Sequence, residues 1–405
     1  MFYQAYQTQM DLLAPVRGIA AATREWLRVP PDWLAETNSV RRVAATLELT
    51  ARARLTHTRP SFRINQVMVE GQARAVVEEA AYTTPFGTLL RFAKVGVGPQ
   101  PRVLVVAPLS GHFATLLRNT VEVLLPDHDV YITDWHNARD VPLEAGRFGF
   151  DEYIDHVIRF LEVMGEGSHL LAVCQPCAHA LAAVAVMAQT NNPAAPASMT
   201  LMAGPIDTRI NPSVVNDLAK TNPIDWFEKK LITAVPLGFR GVGRRVYPGF
   251  VQLLAFMNMN KDRHVKAHRD LYDHIAKGDT AKADSIKTFY DEYFAVLDLT
   301  AEFYLETVSL VFQEHALPLG ELTYRGMKVE PAAIKRTALL TVEGERDDIC
   351  SVGQTSAAHD LCSGIRPYRK RHHLQTGVGH YGVFSGSRWA GQIYPQVRSM
   401  ILSNE

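Results

Sequence analysis

The sequence predicts an α/β protein with a mostly parallel central sheet and a helical cap inserted before its last strands. Two observations carry that reading. Short apolar runs at 102–107, 130–133, 169–173, 199–203 and 337–343 alternate with helix-period segments, the pattern of strands covered on both faces. The alternation then stops between Gly204 and about Pro331, where a helical, aromatic-rich segment intervenes before it resumes.

Taken in order, residues 1–60 read as a helical extension, with Met10, Leu12, Leu13, Trp26 and Leu27 among its apolar positions and Pro30-Pro31 as a break. From 62 to 94 the pattern becomes alternating, as in Ile64-Asn65-Gln66-Val67-Met68-Val69-Glu70. Gly71 and Pro85-Phe86-Gly87 supply turns, so an antiparallel edge is expected. Residues 61–204 form the first part of the core; within it, helix 150–164 places Tyr153, Ile154, Val157, Ile158, Leu161 and Met164 at helical spacing. The segment 205–331 is the expected cap, or lid. Its Trp226, Phe239, Tyr247, Phe256 and Tyr304 are candidates to border a substrate channel. Residues 332–405 complete the core.

Composition narrows the function. The 405 residues carry 42 basic and 42 acidic side chains, so there is no electrostatic footprint for nucleic acid. The basic runs at 240–245 and 366–373 read as solvated faces or anion contacts. Four cysteines in so long a chain do not make a disulfide framework, and a reducing cytoplasm is expected. The first residues lack a basic start followed by an apolar run, so no secretory leader is expected. The longest apolar stretch, 170–188, is interrupted by Gln175, Pro176 and His179 and does not read as a membrane span. No metal or cofactor is called for, since Cys350 and Cys362 lack the close spacing of a zinc knuckle.

The stretch LAVCQPCAHA at 171–180 carries the chemistry. An apolar strand runs into an Ala-rich helix, and Cys174 stands at the junction between the small Ala172 and the compact Pro176. That is the logic of a nucleophile elbow, G-x-S-x-G, with a thiol for the hydroxyl and both glycines replaced. Proline is tolerated in the first turn of a helix, and a helix N-terminus favours a thiolate beside it. Two other readings stand beside this one: a small buried cysteine, and a C-x-x-C thiol oxidoreductase using Cys174 and Cys177.

A nucleophile at Cys174 requires an acid and then a histidine further along the chain. Gly344-Glu345-Arg346-Asp347-Asp348-Ile349 follows the last clear strand and offers two adjacent carboxylates, of which one is needed. His380 stands alone among the fifteen histidines in a glycine-rich loop, Gly377-Val378-Gly379-His380-Tyr381-Gly382, just past a strand at 372–375. His179 reads as a surface or packing residue of the elbow helix. For an oxyanion hole, the Gln175 N–H and a donor from Leu109 or Ser110, in the turn after strand 102–107, are candidates.

Together, VCQP at 173–176, YITDW at 131–135, the GERDDI loop and GVGHYGVFSG at 377–386 resemble the intracellular poly(3-hydroxyalkanoate) depolymerases, specifically the poly(3-hydroxybutyrate) type with a cysteine nucleophile. The resemblance implies an α/β-hydrolase fold and a triad of Cys174, Asp347 and His380. It also implies attack on storage polyester at the surface of cytoplasmic granules. The elbow is similar to that of polyhydroxyalkanoate synthases as well, whose two flanking glycines are absent here. Water as acyl acceptor gives hydrolysis, coenzyme A gives an acyl transferase, and a polymer hydroxyl gives synthesis; the triad alone does not choose among them.

Overall fold

The computed structural model describes residues 2–27, 38–259 and 261–405, so the expected break at Pro30-Pro31 lies outside the described residues. Nine strands form one sheet in the spatial order β1 (Gln66–Val69), β2 (Gln72–Thr83), β3 (Gly87–Lys94), β5 (Asp129–Trp135), β4 (Arg102–Val106), β6 (His169–Val173), β7 (Ser198–Met202), β8 (Ala338–Gly344) and β9 (Lys370–Gln375). β1, β2, β3 and β5 pair antiparallel. From β5 to β9 every neighbouring pair is parallel. This is the sheet of an α/β hydrolase.

The chain moves outward from β4 to β5, then returns past β4 to lay down β6. Where the winding reverses, the loops after β4 and β6 splay apart and leave a crevice at the carboxyl ends of the strands. That is where the loop at 108–113 and the elbow at Cys174 meet.

The continuous apolar strands follow from burial on both faces. Leu104, Val106, Leu170 and Ala172 enter the core shared with α4 (Phe150–Met164) and α5 (Cys177–Gln189). Val103, Val105, Leu171 and Val173 face the other way, toward α3 (Arg118–Leu124) and α12 (Tyr394–Leu402). α5 is buried from Cys177 to Met187, which is why its sequence is almost wholly Ala, Val and Leu.

Between β7 and β8 the cap comprises α6 (Val214–Thr221), α7 (Ile224–Leu231), α8 (Gly249–Met259), α9 (Lys261–Lys277), α10 (Thr280–Tyr293) and α11 (Ala301–Thr307). It is not purely helical, as the sequence suggested. A three-stranded ribbon joins residues 233–234, 245–247 and 299–300, and a hairpin pairs 323–324 with 327–328. Runs of two or three residues carry no readable period. Within the basic run at 240–245, Arg244 is buried rather than solvated and donates to the carbonyls of Val141, Pro142 and Gly146. The extension, α1 (Phe2–Trp26) and α2 (Asn38–Arg52), packs on the cap: α2 lies against α9, and Tyr3 Oη donates to buried Asp298 at 2.6 Å.

Candidate active site

Cys174 occupies the left-handed region, with φ of +66°, between the last residue of β6 and the first turn of α5. A non-glycine residue held there costs on the order of 1–3 kcal/mol and persists only when its surroundings enforce it. The turn is locked by Cys174 N–H donating to Met202 O at 2.8 Å and Cys177 N–H donating to Cys174 O at 3.1 Å. The elbow lacks the usual glycines because a neighbouring strand end supplies the room. At Gly204, just past β7, an added Cβ would sit 2.1 Å from Cys177 Cβ and 3.0 Å from Cys174 O. The close-approach glycine has thus moved from the elbow to the segment packed against it, a shift invisible in the motif itself.

Asp347 sits in the turn after β8, buried, whereas Asp348 is exposed. Its Oδ1 accepts from the N–H groups of Ile349 at 2.9 Å and Cys350 at 2.8 Å, leaving Oδ2 to accept from His380 Nδ1 at 2.8 Å. The histidine loop lies close because Gly344 ends β8: a Cβ there would meet Val378 O at 2.9 Å. Arg346 N–H donates to the same carbonyl at 2.9 Å. His380 is buried, hydrogen-bonded to Asp347, and borders the same cavity as Cys174. Burial disfavours the imidazolium, but Cys174 and then Asp347 outweigh it and hold His380 well above the ordinary histidine value. The structure therefore brings the three residues named from sequence to one site, with His380 bonded to Asp347 and facing the cavity that Cys174 also lines.

Beside them, the backbone N–H groups of Gln175 and Ser110 have no partner among the described residues, and both residues border the same cavity. The Leu109 N–H is already engaged, donating to Gln175 Oε1 at 3.3 Å, so Ser110 is the open donor of that pair.

The cavity has a volume of about 390 Å³. Its core side includes Leu109, Ser110, Cys174, Gln175, Cys350 and His380, and its cap side Val215, Leu218, Trp226, Phe227, Tyr247, Phe303, Tyr304 and Phe312. Tyr247 and Tyr304 stack with centroids 3.9 Å apart. Trp226, Tyr247 and Tyr304 border this cavity. Phe239 does not: it lies under the Arg139 guanidinium at 4.4 Å and packs on the cluster of Tyr3, Val246 and Phe250. Its loop is drawn toward residues 138–142, where Gly241 N–H donates to Arg139 O at 2.8 Å. The Phe256 side chain lies outside the described residues. Phe227, Phe303 and Phe312 were hidden among fifteen cap aromatics, because lining and core residues look alike in sequence.

Cys177 is fully buried, its thiol donating to Ala172 O at 3.4 Å, and burial pushes its pKa far above the ordinary thiol range. All four cysteines are free. A sulfur so enclosed is a poor redox partner for Cys174, which disfavours the C-x-x-C oxidoreductase reading. His179 is also fully buried rather than on the surface, packed on the Phe150 ring at 3.9 Å between centroids. Among the described residues, no group of three or more His, Cys, Asp or Glu could hold a metal, and no helix is long and apolar enough to cross a membrane.

No curated protein matches the sequence. Solved structures similar to the chain include the monoacylglycerol lipase of Paleococcus ferrophilus, at 14% identity over 76% of this chain and 97% of that one, with a TM-score of 0.44. A 2-hydroxy-6-oxo-6-phenylhexa-2,4-dienoate hydrolase from a Rhodococcus species has 13% identity over 81% and 99%, with a TM-score of 0.41. A thermophilic esterase from Thermogutta terrifontis has 13% identity over 80% and 98%, also at 0.41. Residues 203–405, half of the 405-residue chain, match the family described as PHB de-polymerase C-terminus. The chain belongs to that family and is a carboxylic ester hydrolase.

Proposed function

We propose that the protein hydrolyses poly(3-hydroxybutyrate) storage polyester to 3-hydroxybutyrate and its oligomers through a cysteine acyl-enzyme. The observation that carries the reading is the join between an apolar cavity and a Cys174–His380–Asp347 array at its floor. A polyester chain is apolar apart from its regularly spaced esters, so aromatic walls hold it while a few polar groups act on one carbonyl.

In this mechanism Cys174 attacks the ester carbonyl as the thiolate, with its proton on His380 and Asp347 orienting the imidazolium. Sγ–C bond formation drives the carbonyl electrons onto oxygen, and the Gln175 and Ser110 N–H groups take up that charge. Collapse expels the hydroxyl end of the polymer, which takes the proton from His380 and leaves an acyl thioester on Cys174. His380 then deprotonates water, which attacks the thioester and frees the acid. Coenzyme A in place of water is the alternative acceptor. The setting consistent with this chemistry is the surface of a cytoplasmic granule.

Incubation with amorphous poly(3-hydroxybutyrate) granules, with and without coenzyme A, tests the proposal. Free 3-hydroxybutyrate or its oligomers should accumulate without coenzyme A and disappear in Cys174→Ala. Products appearing only as coenzyme A thioesters, or undiminished release by Cys174→Ala, would overturn it.

A further inference from the structure

A relay of hydrogen bonds joins the cap to the loop beside the nucleophile. Leu109 N lies 3.3 Å from Gln175 Oε1, Gln175 Nε2 lies 3.3 Å from His179 Nδ1, and His179 Nε2 lies 3.4 Å from Thr307 Oγ1. Donor chemistry fixes its direction. A backbone amide only donates, so the Gln175 atom facing Leu109 is the carbonyl oxygen. The amide nitrogen then faces His179 Nδ1 and donates to it in the tautomer that carries its proton on Nε2, toward Thr307. Burial supports a neutral ring, pushing its pKa down to about 3.

Both ends of the relay are anchored. His179 is sandwiched by Phe150 and the cap's Phe303, with centroids 3.9 and 5.4 Å away. Thr307 ends α11, where the helix widens into a π-helical turn at Val308–Gln313, a rare feature that recurs at functional sites. On its far side, the loop after β4 is held by the cap again, with Leu297 N–H donating to Gly111 O at 3.0 Å. These relay bonds are long, so their effect is one of placement rather than of strength.

We propose that the Gln175 side chain is a positioning residue for the oxyanion hole. By occupying the Leu109 N–H, and by resting through His179 on Thr307, it sets the turn at 108–110 so that Ser110 and Gln175 present their N–H groups to one point. The seating of the α11 helix thereby becomes a condition for transition-state stabilisation, not only for substrate containment. The inference rests on the ester-cleaving role proposed for Cys174.

Gln175→Leu tests it, since the variant keeps side-chain bulk and the backbone N–H but loses both amide bonds. On p-nitrophenyl butyrate, kcat should fall about 10- to 100-fold with KM within about two-fold, somewhat less than loss of a whole oxyanion donor. Alkylation of Cys174 by iodoacetamide, measured against Cys174→Ala as blank, should stay within about two-fold of wild type, because that displacement develops no oxyanion. Thr307→Val should lower kcat several-fold and Thr307→Ser should restore it. An unchanged kcat in Gln175→Leu, or alkylation falling in step with kcat, would overturn the assignment. Turnover by Cys174→Ala equal to wild type would instead remove the nucleophile on which it rests.

Discussion

The two walls of the cavity are built on opposite principles. From the sheet come Cys174, Asp347 and His380, each at or just past a strand end and each fixed by short polar contacts. From the cap come Trp226, Tyr247, Phe303 and Tyr304, held by ring packing and ordinary burial. Hydrogen-bonded geometry fails abruptly when an atom moves by an ångström, whereas apolar contact declines in proportion to area. Substitutions on the sheet side should therefore act on rate in large steps, and those of the cap's aromatic lining should grade affinity, whereas Thr307, which reaches the elbow by a hydrogen bond to His179, is the cap residue that acts on rate.

The largest effect should come from Cys174→Ala, which ought to depress soluble-ester turnover by at least about 10⁴-fold, as removal of a triad nucleophile does. Next, Asp347→Ala should cost on the order of 10³- to 10⁴-fold in kcat. Exposed Asp348→Ala should stay within about two-fold, so kcat ratios for the pair that came out reversed would move the acid by one residue. On the cap side, Tyr304→Ala should raise KM for a soluble 3-hydroxybutyrate oligomer roughly ten-fold, the loss of about 1.4 kcal/mol of apolar contact, with kcat nearly unchanged. A fall in kcat at constant KM would erase the contrast between the walls.

A further effect is on stability and concerns the boundary itself. His112 and His179 are buried between core and cap, and burial holds their pKa values down, to about 4 and about 3. Unfolded, each titrates near the ordinary value of about 6.5. As pH falls below that value the unfolded chain binds protons that the folded chain refuses. The stability these two rings control is therefore complete above about pH 6.5 and declines toward pH 4, by up to about 1.4 kcal/mol per unit for each ring. Urea midpoints at pH 7 and pH 5 check this, and His179→Asn should flatten the dependence.

The same division decides what was legible in the sequence. Five of the six parallel strands appear as continuous apolar runs because both their faces are buried, and the runs at 102–107 and 169–173 coincide with β4 and β6 to within a residue. The candidate set Cys174, Asp347 and His380 was legible because such a set needs particular side chains at strand ends, in a fixed chain order. Choosing Asp347 over Asp348 required the structure or a family likeness, since burial of one neighbour is not written in the pair. The cap was legible only as aromatic and helical. Whether an aromatic lines a cavity, like Tyr304, or braces a loop under an arginine, like Phe239, depends on contacts far away in sequence. Gly204 and His179 were passed over for the same reason: each acts on the elbow through space.

The bond between Tyr3 and Asp298 has a consequence during synthesis. Its partners are 295 residues apart, so at about 5–20 residues per second Tyr3 leaves the ribosome roughly 15–60 s before its acceptor exists. A helix forms in about a microsecond, so α1 is ready long before the surface that receives it. The extension must therefore be among the last pieces to dock, after the cap has been made and seated. For most of its translation time the chain therefore carries an extension whose receiving surface has not yet been made.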